Sequence, residues 1–384
     1  MTQTLFRGGL LLDPEGDEPR EGSLLVSGER IEAVLPPGAA VPGDARVVEL
    51  AGRSLAPGLI DVHHHGATIF DPIDAPAASL RQDAASMLRH GVTAFLPTTV
   101  ALTQEELRHR VSGLARAAAE AKEGAAVLGI HLEGPWISAE APGAQPRDAI
   151  RPYDAAEGRD VLDRGEGLVR MVTLAPEAPG AGELLAELER RGIVAALGHT
   201  KASAEVAGDG FDRGIRHVTH LFNAMGAFHH REPGAIGAAL GDDRATCDLI
   251  CDGVHVHPAA VRAAARAKGE KLLLITDAIV PGDSEGELGG GRLAADGPVW
   301  RLPGGTLAGS RLTLCDAVVN ARAFGAMTQL AAVAAATLGP ARLLGVEAER
   351  GTLRPRARAD LVVLSADGSL AETWLGGERV HAAS

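Results

Sequence analysis

Aromatic side chains are scarce: the 384 residues contain 7 Phe, 3 Trp and 1 Tyr. A sugar or nucleobase platform built from stacked rings needs several such faces, so a polar ligand must be gripped by other groups. Cysteine is scarcer still. Cys247, Cys251 and Cys315 contain no Cys-x-x-Cys pair and cannot all pair within one chain. That pattern points to buried thiols in a reducing, cytoplasmic compartment and away from a disulfide-stapled secreted protein. No apolar run is as long as a membrane span, and Asp13-Pro14-Glu15 breaks the N-terminal apolar stretch before a signal-peptide core can form. Positive charge is in deficit as well. With 37 Lys plus Arg against 50 Asp plus Glu, the formal net charge is -13. This argues against nucleic acid or an anionic membrane as partner, but not against a small anionic substrate.

What is present is ordinary globular material, 46% hydrophobic and 23% charged, long enough for one large domain with a small appendage. Near the N-terminus, residues 22–35 read as a β-hairpin turning at Ser27-Gly28, with a further strand at 46–50. Residues 359–365 and 372–380 read as strand and hairpin again, so the two ends are expected to form one small β-domain. Between them, short apolar runs alternate with alanine-rich helical stretches. Candidate strands lie at 59–65, 92–97, 126–132, 168–174, 193–197, 217–221, 246–254 and 272–276. Eight such repeats, with no Gly-x-Gly-x-x-Gly turn after the first strand, predict an α/β fold of the closed (β/α)8 TIM-like barrel type. The expected boundaries are 1–56 and 350–384 for the small domain and 57–349 for the barrel. Gly/Pro-rich segments at 141–147 and 281–297 follow strand C-termini, where barrel enzymes carry substrate loops.

His63-His64-His65 ends the first strand. Alternation puts His63 and His65 on one face and His64 on the other, a spacing that suits two ligands to one divalent ion. Alone, such a pair is as readily a polar strand end. Further ligand-capable groups change that balance: His131 and Glu133 end the third strand, His199 the fifth, His220 the sixth and Asp277 the eighth. Imidazoles with carboxylates suit Zn, Fe(II), Co or Ni, and three protein ligands with an open position form a catalytic site. A carboxylate beside the water of such a site can move its proton. Asp277 is the candidate, although a helix N-cap after Thr276 is a competing role.

The motifs Pro57-Gly58-Leu59-Ile60-Asp61-Val62-His63, His131-Leu132-Glu133-Gly134-Pro135-Trp136, Gly198-His199-Thr200, His220-Leu221-Phe222-Asn223-Ala224-Met225, Arg231-Glu232-Pro233-Gly234, Asp252-Gly253-Val254-His255, Thr276-Asp277-Ala278 and Leu307-Ala308-Gly309-Ser310 run in order along nearly the whole chain. Together they resemble the N-acetylglucosamine-6-phosphate deacetylases of the amidohydrolase superfamily. The resemblance implies a metal-dependent barrel with a small β-sandwich built by both termini. It implies Glu133, His199 and His220 as main metal ligands, with His63, His65 and Asp277 making room for a second ion. By the same resemblance Asp277 is general base and acid, and His255 polarises the acetamide carbonyl. Asn223 and Ala224 receive the phosphate, with Arg231 contributed across a homodimer interface, and Ala144, Gln145, Leu307, Ala308 and Gly309 contact the sugar. Gln145 stands where the family usually has His, and the loop after His65 lacks the usual glycine run. Both departures bear on the choice between N-acetylglucosamine 6-phosphate and an epimer such as N-acetylgalactosamine 6-phosphate. No lysine ends the fourth strand, which disfavours a dihydroorotase-like site bridged by a modified lysine. A catalytically silent scaffold is disfavoured because the ligands and Asp277 are all present.

Overall fold

Short runs that are buried on both faces become parallel strands when helices cover the sheet, and this accounts for most of the chain. The computed structural model describes residues 3–70, 77–121, 123–280, 286–288 and 291–383. Parallel strands Leu59–Gly66, Val92–Thr99, Ile130–Glu133, Val169–Leu174, Val194–Leu197, His217–Val218, Thr246–Ile250 and Leu272–Ile275 pair in sequence order. The eighth is interrupted by Thr276 and Asp277 and resumes at Ala278–Ile279, where Ala278 pairs with His64 and Ile279 with Gly66 of the first strand. The strands thus return to their start, and the fold is an α/β TIM-like barrel. Its first two strands are buried at every position.

Several strands are shorter than the apolar runs suggest. The predicted third strand splits into Ala126–Val127 and Ile130–Glu133. Gly129 lies between them at φ 152°, with the backbone of Leu168 so near that a Cβ would sit 2.7 Å from its oxygen. The predicted sixth strand ends at Val218, because the residues after it enter left-handed turns, and the seventh ends at Ile250. Helices follow the strands with local caps. Thr103 and Glu106 form a capping box for Gln104–Glu120, and Asp154 caps Ala155–Arg164. His257 accepts the Ala259 N–H at 3.1 Å to cap Pro258–Lys268, so it is a structural residue. Among the described residues no helix is long and apolar enough to cross a membrane.

Both termini contribute to one further sheet, in the order Glu378–Ala382, Leu370–Leu375, Leu361–Leu364, Ser54–Pro57, Gln3–Leu11, Arg20–Ser27, Arg30–Leu35, with Arg46–Glu49 also pairing with Gln3–Leu11. The N-terminal hairpin turns one residue later than predicted, at Gly28-Glu29, because Ser27 pairs with Arg30. This sheet has its own apolar cluster, including Phe6, Leu24, Ile31, Leu55, Leu361 and Trp374. Between the eighth strand and its helix, Ala294–Asp296, Val299–Arg301 and Leu307–Ser310 form a small antiparallel unit. Ser310 of that unit pairs with Ala278 at the barrel seam. Of the predicted Gly/Pro-rich segment at 281–297, residues 281–285 and 289–290 lie outside the described residues.

Candidate active site

The C-terminal ends of the strands carry three ligand-capable residues in the left-handed backbone region: His199 at φ 46°, His220 at φ 34° and Asp277 at φ 49°. Such positions cost about 1–3 kcal/mol each and persist only where the surroundings hold them. A carboxylate behind each residue does so. Glu177 accepts from Thr200 Oγ1 and the Lys201 N–H, both at 2.6 Å, just after His199. Asp248 accepts the His220 N–H and takes His217 Nε2 at 2.8 Å. Asp61 accepts Thr276 Oγ1 at 2.6 Å, just before Asp277, and the His63 N–H at 3.2 Å. Asp61 is fully buried, and that burial, partly offset by these hydrogen bonds, raises its pKa to about 6.

In front of these clamps six side chains converge. Glu133 Oε1 lies 2.8 Å from His220 Nε2 and 3.2 Å from His199 Nε2, and those two nitrogens are 3.1 Å apart. Glu133 Oε2 lies 3.3 Å from His65 Nε2. The Nε2 atoms of His63 and His65 are 3.3 Å apart, and each is 3.1–3.2 Å from Asp277 Oδ1. Burial opposes charge on Glu133, yet His63 and His199 hold its carboxyl well below the usual range. Asp277 is likewise held low by His63 and His65 against its burial. In return His63 rises well above its ordinary value, and His65 rises to about 9, both against burial. His64 points the other way and falls to about 3, through burial and the charge on His65.

Two buried carboxylates thus require positive charge beside them, from protons on the imidazoles or from a cation. The donor geometry fits a cation. His199 Nδ1 donates to Ala141 O at 2.9 Å and His65 Nδ1 to Thr98 O at 3.1 Å, which leaves both Nε2 atoms free to ligate. The Nδ1 atoms of His63 and His220 are buried with no partner among the described residues, so those rings are engaged at Nε2. Ligands at about 2.0–2.1 Å from a tetrahedral zinc lie about 3.3–3.4 Å apart, close to the separations found here. Two donor groups result, Glu133-His199-His220 and His63-His65-Glu133, sharing Glu133.

A cavity of about 260 Å³ opens onto this cluster. Of the residues singled out in the sequence, it is lined by His65, Glu133, Ala144, Gln145, His199, His220, Asn223, Ala224, His255, Asp277, Leu307, Ala308 and Gly309. His63 lies beneath it, fully buried. Arg231 is not at the cavity. It is exposed, with its guanidinium against His230 at 3.1 Å. Asp277 caps no helix; it sits in the break of the eighth strand. His131 supports the floor, with Nε2 2.8 Å from Thr173 Oγ1 and its ring edge-on to His63.

Sequence reasoning gave no role to Asp252. Its Oδ2 receives His255 Nδ1 at 2.6 Å and its Oδ1 the His255 N–H at 2.8 Å, which aims the ring. The signal was available, since an Asp readily accepts the backbone N–H groups just after it, as Asp252 Oδ1 does from Val254 and His255. Val100, Ile279 and Leu288, which form an apolar wall of the cavity, carried no such signal.

The amidohydrolase family model matches residues 54–380. The chain is 35% identical over 381 residues to an N-acetylglucosamine-6-phosphate deacetylase of Bacillus subtilis, covering 96% of this chain and 94% of the relative. It is also 35% identical to an N-acetylgalactosamine-6-phosphate deacetylase of Escherichia coli O157:H7, over 88% of this chain and 90% of the relative. A mutant N-acetyl-D-glucosamine-6-phosphate deacetylase of Mycobacterium smegmatis, solved in complex with N-acetyl-D-glucosamine-6-phosphate, superposes with a TM-score of 0.89 at 36% identity. That match covers 99% of this chain and 100% of the other.

Proposed function

This chain belongs to the amidohydrolase family, and from that membership we propose that it hydrolyses the acetamide of N-acetyl-D-glucosamine 6-phosphate to D-glucosamine 6-phosphate and acetate. The observation that carries the reading is the convergence of Asp277, His255 and the shared donor groups on one cavity. Glu133, His199 and His220 would hold one divalent ion, and His63, His65 and Asp277 are the candidates for a second. When bound, an ion such as Zn, Fe(II), Co or Ni supplies the Lewis acidity that makes water a nucleophile at neutral pH. Asp277 has the most accessible side chain of the cluster, at 12%. It takes the proton of the attacking water as the new C–O bond forms, and returns it to nitrogen as the C–N bond breaks. His255 has Nδ1 committed to Asp252, so its Nε2 faces the acetamide oxygen and, when protonated, stabilises the developing charge.

Ala144, Gln145, Leu307, Ala308 and Gly309 bracket the sugar, and Asn223 with the Ala224 backbone receives the phosphate. The exposure of Arg231 in its own chain supports its delivery to a second copy, and hence a homodimer. The separate apolar clusters support reading 1–56 and 350–384 as a β-sandwich domain beside a catalytic barrel at 57–349. Three free buried cysteines support a cytoplasmic setting.

Acetate release from N-acetylglucosamine 6-phosphate tests the assignment. Chelation abolishes it and divalent metal restores it, while Asp277→Asn lowers kcat by about 10²–10⁴ with metal retained. An active Asp277→Asn enzyme removes the proton-transfer role. The relative named for the galactosamine epimer, together with Gln145 at the cavity wall, favours N-acetylgalactosamine 6-phosphate as the second reading. The ratio of kcat/KM for the two epimers decides between them.

A further inference from the structure

We infer that Gln145 is a positioning residue that holds Glu133 as a two-sided ligand, one oxygen for each donor group, and thereby governs whether the second group takes up an ion. The inference rests on reading these groups as metal ligands. It gives Gln145 a task other than contact with the sugar.

Gln145 is itself fixed at three points. Its backbone N–H donates to Pro142 O at 2.9 Å. Its side-chain oxygen accepts the Ala101 N–H at 2.7 Å, and its Nε2 donates to Glu133 Oε2 at 2.6 Å. The orientation of the amide follows from chemistry: a backbone N–H can only donate, so the side-chain oxygen faces Ala101 and the NH₂ faces the carboxylate. Gln145 is 7% exposed and Glu133 2%, so the bond is a charge-assisted one shielded from water.

The consequence lies in the direction of Oε2. Glu133 Oε1 is engaged with His199 and His220 and lies 3.6 Å from His63, whereas Oε2 stands 3.3 Å from His65. A carboxylate oxygen has lone pairs for both an amide N–H and a metal ion. With the amide in place, Oε2 is kept on the His65 side. Without it, the carboxylate is free to turn about its terminal bond, bring both oxygens to an ion held by His199 and His220, and leave the second group with one carboxylate fewer.

The test is titration of metal-free protein with Co(II), followed by calorimetry and elemental analysis, comparing wild type with Gln145→Met, which keeps the length and removes both hydrogen bonds. Wild type takes up two ions. In Gln145→Met the affinity for one ion falls by about 10–100-fold, the usual effect of losing a partner that orients a ligand. The other affinity is unchanged, which also reports that the variant is folded. Adding Gln145→Met to His65→Ala should produce no further loss, because both act on the same ion. Uptake of one ion by wild type, two unchanged affinities in the variant, or an equal loss of both overturns the inference. None of these readouts uses a substrate, so absent acetate release would remove the proposed function and leave this result standing.

Discussion

At the barrel mouth, six buried imidazoles and carboxylates stand within about 3.6 Å of a neighbour of the same cluster, and three of their backbones lie in the left-handed region. In the terminal sheet, the ring of Phe6 meets Trp374 edge-on at 4.8 Å among Leu, Ile and Val side chains. The two regions bury their side chains for opposite ends. The mouth holds groups that would be better solvated elsewhere, and the sheet gains from every group it removes from water. Stability and activity should therefore separate when each is disturbed.

The largest effect is expected at the shared ligand. Glu133→Gln should lower activity by more than about 10³-fold, as loss of a metal ligand and its charge removes the nucleophile, and should remove the drop in melting temperature that chelator is expected to cause in wild type. If calorimetry with and without chelator finds that drop intact, Glu133 is not the hub of the mouth. Next in size is Trp374→Ala in the terminal sheet. It should cost about 3–5 kcal/mol of unfolding free energy while leaving KM within error. A changed KM would show that the two regions are coupled. Smallest is a control remote from both. Asp242 is held at about 2, chiefly by its hydrogen bonds with Arg244. A carboxyl depressed in the folded state adds stability above its usual value of 3.8, and that contribution is lost as pH falls toward 2. Arg244→Ala should lower stability in urea unfolding modestly at neutral pH, where this contribution is fully present, and its difference from wild type should vanish as pH falls from about 4 toward 2.

Legibility in the sequence followed the range of each interaction. The facing of His63 and His65, with His64 turned away, is a period-two consequence of a strand. The eight strand cores were legible as short apolar runs between helical stretches, because strands covered on both faces are apolar on both. The convergence of His199, His220 and Glu133 was legible only as one ligand-capable group at the end of each strand, since no local rule sets distances across a barrel. The clamps were not legible. Asp248 lies 28 residues from His220, and Asp61 lies 215 from Thr276, so their roles exist only once the strands are paired. The short sixth strand has a similar origin: apolar periodicity continues to Leu221, but the backbone turns left-handed at His220.

The seam at Ala278 has a further meaning for how the molecule can be altered. Ala278 pairs with His64 on one side and with Ser310 on the other. The strand bearing Leu307, Ala308 and Gly309 is therefore stitched to the ring beside Asp277, although about thirty residues of chain lie between them. The chain between them is thus an excursion whose two ends, Ala278 and Ser310, are hemmed together at the ring. Recombination with a crossover between Asp277 and Leu307 would join the acid of one parent to the cavity roof of another.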